Sequence, residues 1–244
     1  MRPDQAPFHD PLDDPPWAMQ LVVRAEKTDP PNHEAVCEAA ATAVVRLLTD
    51  PRAAEPGGEW HDAVREWESR RIRKVTRRAR GVRWPEAEAL PGVTVEHAGA
   101  QVRAFPPGPV SDVPPQLAKL QVAGLDLPGA DEPAPPPEPP YAALALNPDV
   151  TITTGKAAAQ CGHAAQLLLR RGRRRHVAAW VEAGAPVHLV RDEEWRRCVK
   201  QSAVAVRDGG FTEVPPGTMT AVAWLVREQP VRRAARTAGG RSGA

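Results

Sequence analysis

Two stretches that lie far apart in the chain carry side chains that could act together on an ester. Residues 153–166 place Lys156 at the start of an alanine-rich helix, and residues 207–220 place Asp208 after a short apolar run. A carboxylate can orient and deprotonate a water, and an ammonium can stabilise the oxyanion that forms when that water attacks a carbonyl. If the fold brings the two groups together, ester hydrolysis is the chemistry that they support.

The helix predicted for residues 156–169 puts three polar side chains on one face. The segment is rich in Ala, Gln and Leu, which favour helices, and Gly155 precedes it. Lys156, Gln160 and His163 stand at positions i, i+4 and i+7 and therefore share a face. Polar groups on a helix are most often simply solvated, so this spacing alone does not assign a site.

Two other motifs are excluded by their spacing. Cys161 and His163 are two positions apart, about 200° around a helix, so Cys161 is better interpreted as a small core residue than as a nucleophile. The Gly-Lys pair at 155–156 is not a phosphate-binding loop, because Val150 and Ala157 occupy the positions of its first glycine and its Ser or Thr.

The second stretch predicts a strand, a turn and a further strand. Residues 203–206 are apolar and lead to Asp208, where neighbouring glycines allow a carboxylate to line a cleft. A proline-glycine turn at 215–217 precedes a β-branched strand on which Thr218 and Thr220 face the same side. An aspartate before glycine is about as often a plain turn residue as a functional one.

Taken together and in this order, the two stretches resemble the motifs of the type-2 peptidyl-tRNA hydrolases, and the resemblance covers residues 141–227. The family's first motif, Gly-Lys-x-Ala-Ala-Gln-x-x-His-Ala, is matched at Gly155, Lys156, Ala158, Ala159, Gln160, His163 and Ala164. The second, Asp-Ala-Gly-x-Thr-x-x-x-x-Gly-Thr-x-Thr, is matched at Asp208, Gly210, Thr212, Gly217, Thr218 and Thr220.

The resemblance implies hydrolysis of the ester that joins a peptide to the terminal ribose of tRNA. On this hypothesis Asp208 orients or activates the water, and Lys156 holds the oxyanion or a nearby phosphate. The other residues that the resemblance implies are Thr212 and Thr220 as further catalytic groups, and Gln160, His163 and Thr218 as groups that position the substrate. The reaction implies no cofactor and no metal, and the Cys and His residues lack the spacing of a zinc site.

The chain departs from the family pattern at Phe211 and Glu213, where the family usually has Arg and Gln. The missing Arg would remove a phosphate or ribose contact, and Glu213 would add negative charge beside an anionic substrate. Two alternatives therefore stay open. One is a non-catalytic tRNA- or RNA-binding or adaptor protein of the same fold, and the other is an esterase that acts on a different acyl substrate.

The net charge of only +2 hides clusters of basic residues that could bind tRNA phosphates. The cluster that directly follows the lysine helix is predicted to bind tRNA and consists of Arg170, Arg171, Arg173, Arg174 and Arg175. Nine basic residues also fall between positions 65 and 83, and four arginines fall between 232 and 241. A solvated basic face is the common alternative for such clusters.

Composition favours a cytoplasmic protein. Mean hydropathy is −0.42, and no run of about 18 apolar residues predicts a membrane span. The polar, proline-rich start resembles neither a secretion signal nor a transit peptide. The odd number of cysteines, Cys37, Cys161 and Cys198, favours a reducing compartment over a disulfide framework.

We expect an α/β fold with a mixed β-sheet and helices on both faces (α/β/α layers) in each of two related units in tandem. The predicted organisation is a disordered start at 1–16, a degenerate hydrolase-like unit at 17–127, a proline-rich linker at 128–140, the catalytic unit at 141–227 and a basic disordered tail at 228–244.

Similar patterns in the two halves favour the tandem. The helix at 34–48 resembles residues 158–169, and the stretch at 93–99 resembles 203–210. The repeat requires a strand at 72–79, whereas the apolar spacing there favours a helix.

Aligned in this way, Asn32 and His97 stand where the second unit has Lys156 and Asp208. The first unit would therefore lack the catalytic pair. We expect the two units to form an intramolecular pseudo-dimer, with a homodimer as the alternative.

Overall fold

Two mixed β-sheets, one from each half of the chain, form the framework of the protein. The computed structural model describes residues 16–132, 134–191, 195–210 and 213–227. The predicted disordered start, apart from residue 16, and the predicted tail at 228–244 lie outside the described residues. Among the described helices, none combines the length and apolar character that a membrane crossing would need.

The first unit contains five strands and five α-helices. The strands are β1 (Trp17–Arg24), β2 (Lys74–Ala79), β3 (Val93–His97), β4 (Ala100–Ala104) and β5 (Gly108–Pro109). The helices are α1 (His33–Thr49), α2 (Pro51–Ala54), α3 (His61–Ser69), α4 (Arg83–Glu88) and α5 (Pro115–Ala118). The sheet order is β2-β1-β4-β3, and β5 pairs with the start of β1.

The second unit follows with four strands and three helices among the described residues. The strands are β6 (Tyr141–Leu146), β7 (Val187–Leu189), β8 (Val204–Arg207) and β9 (Met219–Val226). The helices are α6 (Thr154–Arg171), α7 (Arg174–Glu182) and α8 (Trp195–Gln201). The sheet order is β7-β6-β9-β8.

The two main sheets have the same topology, which confirms the predicted tandem of α/β units. In each sheet the first strand (β1 or β6) pairs parallel with the second (β2 or β7) and antiparallel with the fourth (β4 or β9). The fourth strand also pairs antiparallel with the third (β3 or β8). Residues 74–79 form a strand, as the repeat requires. The prediction of a helix from the apolar spacing is therefore wrong. The alternation typical of a strand is missing because the buried positions of β2 include Lys74 and Thr76.

The positions that correspond between the units agree only in part with the alignment. His97 and Asp208 both stand fifth, counted from the first residue of the third strand of their unit, as predicted. The counterpart predicted for Lys156 is wrong, because Asn32 is the N-cap of α1 and therefore corresponds to Thr153, the N-cap of α6. Each cap accepts the backbone N–H of the residue three positions later.

Helices α1 and α6 pack against each other between the two sheets. Val44 of α1 packs in the core of the first sheet, and Val45 packs in the core of the second. Small residues allow the close approach, since a Cβ at Gly162 of α6 would lie 3.1 Å from Val44. Because α4 and α5 cover the outer face of the first sheet and α8 covers that of the second, helices lie on both faces of each sheet, as predicted.

The segment that joins the units packs on the starts of both central helices. The carbonyl of Leu125 accepts the N–H of Gly155, and the carbonyl of Pro128 accepts the N–H of His33, both at 2.9 Å. The ring of His33 in turn lies 3.0 Å from the hydroxyl of Thr154. The N-terminal ends of α1 and α6 therefore lie side by side at one end of the molecule.

Candidate active site

The start of α6 is fixed from two sides, and this fixes Lys156. Thr153 caps the helix, and its hydroxyl accepts the N–H of Lys156 at 3.4 Å. The carboxylate of Glu213 accepts two hydrogen bonds from Thr153, one from the N–H at 2.7 Å and one from the hydroxyl at 2.8 Å. Glu213 therefore places its negative charge against the positive end of the helix macrodipole.

Asp208 lies directly after β8 ends, and one residue beyond an irregularity in the pairing of β8 with β9 between Val206 and Arg207. Its N–H donates to the carbonyl of Thr218 at 2.9 Å, and its carbonyl accepts the N–H of Gly217 at 2.7 Å. Its Oδ1 accepts the N–H of Gly210 at 2.7 Å. This hydrogen bond closes the local turn that was predicted as the alternative to a functional role for Asp208. Gly210 has a φ of +76°, and a Cβ there would lie 2.6 Å from Pro216, so a larger residue does not fit.

The second carboxylate oxygen of Asp208 faces the lysine helix. Lys156 Nζ lies 2.5 Å from Oδ2, and Gln160 Nε2 donates to the same oxygen at 2.8 Å. Thr220 donates its hydroxyl to Gln160 Oε1 at 2.6 Å and so fixes the orientation of the amide. The fold thus joins four of the residues singled out in the sequence in one continuous chain of contacts.

The Lys156–Asp208 pair is nearly buried, with 13% of the lysine side chain and 6% of the aspartate side chain exposed. An ionised carboxylate offers about four acceptor positions. Within the described part of the chain, donors fill two on Oδ2 and one on Oδ1. A further donor, such as a water, can therefore bind to Oδ1, and partial burial strengthens that interaction by lowering the local dielectric constant.

The remaining threonines of the second motif have different surroundings. Thr218 donates its hydroxyl to the carbonyl of Pro215 at 2.7 Å, so its side chain closes the turn, while its own carbonyl holds Asp208. Thr212 and the neighbouring Phe211 lie outside the described residues.

His163, the third polar residue on the predicted helix face, contacts the first unit. Its Nδ1 lies 3.2 Å from Nζ of Lys74. Burial lowers the pKa of His163 well below 6.5, and the positive charges of Lys74 and Lys156 lower it further. The imidazole is therefore neutral near pH 7 and can accept a hydrogen bond from Lys74.

Lys74 is a buried lysine that the sequence did not single out. Its Nζ donates to Gln166 at 2.5 Å and lies 5.0 Å from the centre of the Trp67 ring. Burial lowers the pKa of Lys74 well below 10.5, although the charge of Glu68 opposes this shift. Its partners come from α3 and α6, so no pattern near position 74 identifies those partners. The missing apolar alternation in β2 was the one available signal.

The predicted tRNA-binding arginines lie at the opposite end of α6 from Lys156. Arg171 follows Lys156 by fifteen residues on this helix, which corresponds to about 22 Å along the axis. The five arginines are exposed, and Arg170 forms an ion pair with Glu68 at 2.9 Å. A ligand that contacts both this cluster and the Lys156–Asp208 pair must therefore extend over about 20 Å or more.

In the first unit a pair of opposite polarity joins the central helix to the end of the third strand. Glu38 on α1 lies 2.6 Å from His97 at the end of β3, and it also accepts the N–H of Leu189 at 2.7 Å. Burial opposes ionisation of Glu38, but hydrogen bonds from His188, His97 and Leu189 outweigh it and lower its pKa to about 2. The acid is on the helix and the base at the strand end, the reverse of the second unit.

The second unit is similar to known hydrolases. Residues 141–232 match the profile of the family described as peptidyl-tRNA hydrolase PTH2. A peptidyl-tRNA hydrolase from Pyrobaculum aerophilum is 36% identical over 93 residues, which cover 32% of this chain and 78% of that relative. The range matched by the family contains all four residues of the contact chain around Asp208.

Proposed function

Because the chain belongs to the peptidyl-tRNA hydrolase family PTH2, we propose that Lys156 and Asp208 catalyse cleavage of the ester between peptide and tRNA. The chain is a hydrolase that acts on ester bonds, and peptidyl-tRNA is the substrate that this family implies. The observation that carries the assignment of the catalytic pair is the 2.5 Å contact between Lys156 Nζ and Asp208 Oδ2.

In this proposal Asp208 orients the attacking water and accepts its proton. The acceptor position on Oδ1 takes one O–H of the water, while Gly210 and Gln160 prevent the carboxylate from rotating. As the water oxygen bonds to the carbonyl carbon, its proton passes to the carboxylate. A water that is held in place before the attack loses little entropy in the transition state.

Lys156 stabilises the negative charge that develops on the carbonyl oxygen. Its first-turn position on α6 and its contact with Asp208 hold the ammonium in place before the reaction, as electrostatic catalysis requires. When the intermediate collapses, the bond from the carbonyl carbon to the ribose oxygen breaks, and that oxygen takes the proton from Asp208. The products are a tRNA with a free terminal hydroxyl and a peptide carboxylic acid, which loses its remaining proton to solvent near pH 7.

Gln160 and Thr220 act as positioning residues. Both are buried, and together they connect Asp208, just after β8, to α6 and β9. His163 lies on the same face of α6 as Lys156 and Gln160. Its neutral imidazole contacts Lys74 and so links this face to the first unit. We retain Thr212 as a proposed catalytic residue, and Arg170, Arg171, Arg173, Arg174 and Arg175 as proposed contacts to the body of the tRNA.

Release of peptide from purified peptidyl-tRNA tests the assignment. Lys156→Ala and Asp208→Asn should each lower kcat by at least about 100-fold, the usual cost of removing one group that stabilises the transition state. Lys200→Ala removes an exposed lysine on α8 and is the control, for which we expect the wild-type rate. Wild-type turnover in both site variants would refute the assignment.

The same assay separates the two alternative functions. A binding or adaptor protein would retain salt-sensitive tRNA binding without any release of peptide by the wild type. An esterase for another substrate would cleave small acyl esters but not peptidyl-tRNA.

A further inference from the structure

An open cleft of about 770 Å³ lies in the first unit, apart from the Lys156–Asp208 pair. It is lined by the residues that follow β1 and β2, at 26–28 and 80–83, and by residues 119–121 after α5. Strands β1 and β2 are parallel neighbours, so their carboxyl ends meet at the same edge of the sheet. Such an edge is where open α/β sheets commonly bind ligands.

The charge of this cleft is strongly one-sided. The cationic residues in its lining are Lys27, Arg78, Arg80, Arg83 and Lys119, and the one carboxylate is that of Glu26. Lys119 pairs with Glu86 at 2.5 Å, and Arg78 bonds to the side chain of Gln121. The side chains of Lys27, Arg80 and Arg83 form no ion pair with a carboxylate in the described part of the chain.

The loop that carries two of these cations is held in one conformation. Gly81 has a φ of +54°, and its N–H is bound by the carboxylate of Glu26 at 3.1 and 3.2 Å. Glu26 is therefore occupied by the loop backbone. The side chains of Arg80 and Arg83, on either side of Gly81, can therefore bind an anion in the cleft.

The cleft opens at the same end of the molecule as the catalytic pair. The chain passes from the carboxyl end of β1 into α1, and from the carboxyl end of β6 into α6. The start of each central helix therefore lies at the edge of its sheet where that strand ends. The starts of these helices lie side by side, with His33 of α1 at 3.0 Å from Thr154 of α6. By contrast, the arginine cluster after Lys156 lies at the far end of α6.

We propose that the cleft binds phosphates of the sugar-phosphate backbone in the tRNA part of the substrate. The choice of tRNA as the nucleic acid rests on the proposed function. Cations spread over three segments of an open cleft suit the successive phosphates of a polymer better than one compact anion. The first unit, which has Ala35 at the position of Lys156 and His97 at that of Asp208, thus holds the substrate for the second.

Binding of uncharged tRNA measures this role without any dependence on catalysis. Arg80→Glu combined with Arg83→Glu should weaken tRNA binding at about 0.1 M salt by at least about tenfold, because two phosphate contacts become repulsive. Arg196→Glu combined with Lys200→Glu makes the same charge change at exposed positions of α8 and should have a much smaller effect. Lys27→Glu combined with Lys119→Glu tests cations from the other two segments of the lining and should also weaken tRNA binding. Melting temperatures show that each variant folds.

The salt dependence and the substrate length add two independent readouts. Arg80→Gln combined with Arg83→Gln should reduce the slope of log K against log salt by roughly 1.4 to 1.8, which is roughly 0.7 to 0.9 for each lost phosphate contact. With full-length peptidyl-tRNA these variants should raise KM and leave kcat unchanged. With a peptidyl ester of a short terminal oligonucleotide they should behave like wild type.

Equal tRNA affinity of the cleft and control variants would overturn the proposal. Loss of nucleoside triphosphate binding without loss of tRNA binding would also overturn it, because the cleft would then serve a small phosphate ligand. If the wild type cleaves no peptidyl-tRNA but the cleft variants lose tRNA binding, the proposed function fails while the phosphate site stands.

Discussion

The carboxylate of Glu213 accepts both the backbone N–H and the hydroxyl of Thr153, at 2.7 and 2.8 Å. The loop after β8 is therefore attached to the N-cap of α6, and through it the segment that carries Asp208 is attached to the helix that carries Lys156. From the sequence, Glu213 is a departure that adds charge beside an anionic substrate. In the structure its charge lies at the helix start, where an anion is stabilised.

Glu213→Ala should lower kcat several-fold, because the start of α6 loses its contact with the loop that carries Asp208. Glu213→Gln should retain most of the activity, since an amide oxygen can still accept from Thr153. The measurement is single-turnover peptide release by both variants. A Glu213→Ala enzyme as fast as the wild type would show that the contact does not help to position the site.

Thr220→Val should lower both activity and stability. The variant leaves the buried Gln160 oxygen without its donor, which costs about 1–3 kcal/mol, and it frees the amide to turn away from Asp208. Thr220→Ser keeps the hydroxyl and should restore both properties to near the wild-type level. We expect kcat to fall and KM to stay unchanged, as measured by steady-state release together with urea unfolding. If the Ser variant is as impaired as the Val variant, the hydroxyl is not the group that matters.

The Glu38–His97 pair should make a contribution to stability that depends on pH. The hydrogen bond that His97 donates to Glu38 raises the pKa of His97 above 6.5, against the smaller effect of burial, so this contribution is lost as pH rises through the raised value. The pKa of Glu38 is lowered from 4.5 to about 2, so its contribution is lost as pH falls below 4.5 toward 2.

Glu38→Gln should therefore lower the free energy of unfolding by roughly 2 kcal/mol where both contributions are present. This window lies between pH 4.5 and 6.5, and the difference from wild type should shrink on either side of it. Urea unfolding across the pH range measures the effect, with the exposed Glu96→Gln as the control. A constant difference at every pH would contradict the linkage.

Lys74 should give the opposite trend at alkaline pH. Its pKa in the folded protein is depressed below 10.5, so the unfolded chain binds the proton more tightly, and stability should rise as pH increases between the two values. Lys74→Met removes this titrating group and should abolish that rise, whereas Lys200→Met should not. The measurement compares unfolding free energies at pH 7 and 10. An equal gain in the Met variant would assign the rise to other groups.

The proposed catalytic residues could be singled out in the sequence because their signal is local. Lys156 and Gln160 share a helix face by spacing, and Asp208 and Thr220 belong to one strand-turn-strand motif. The two α/β units were predictable as well, since helices, strands and turns recur in the same order in both halves.

The contacts between the halves were not predictable, because they depend on how α1 and α6 pack. Lys74 carries no local sign that it is buried against His163, and Glu38 carries none that it binds Leu189 of the other unit. The nine basic residues between positions 65 and 83 look alike in the sequence. The structure buries Lys74 and directs Arg80 and Arg83 into the cleft.

The proposed mechanism requires Lys156 and Asp208 to act as one unit, and a double-mutant cycle on peptidyl-tRNA cleavage tests this directly. If the pair acts together, Lys156→Ala combined with Asp208→Ala should lose about as much kcat as either single change, because each alone already disables the mechanism. Losses that multiply in the double variant would contradict the account, as would a single variant that cleaves at the wild-type rate.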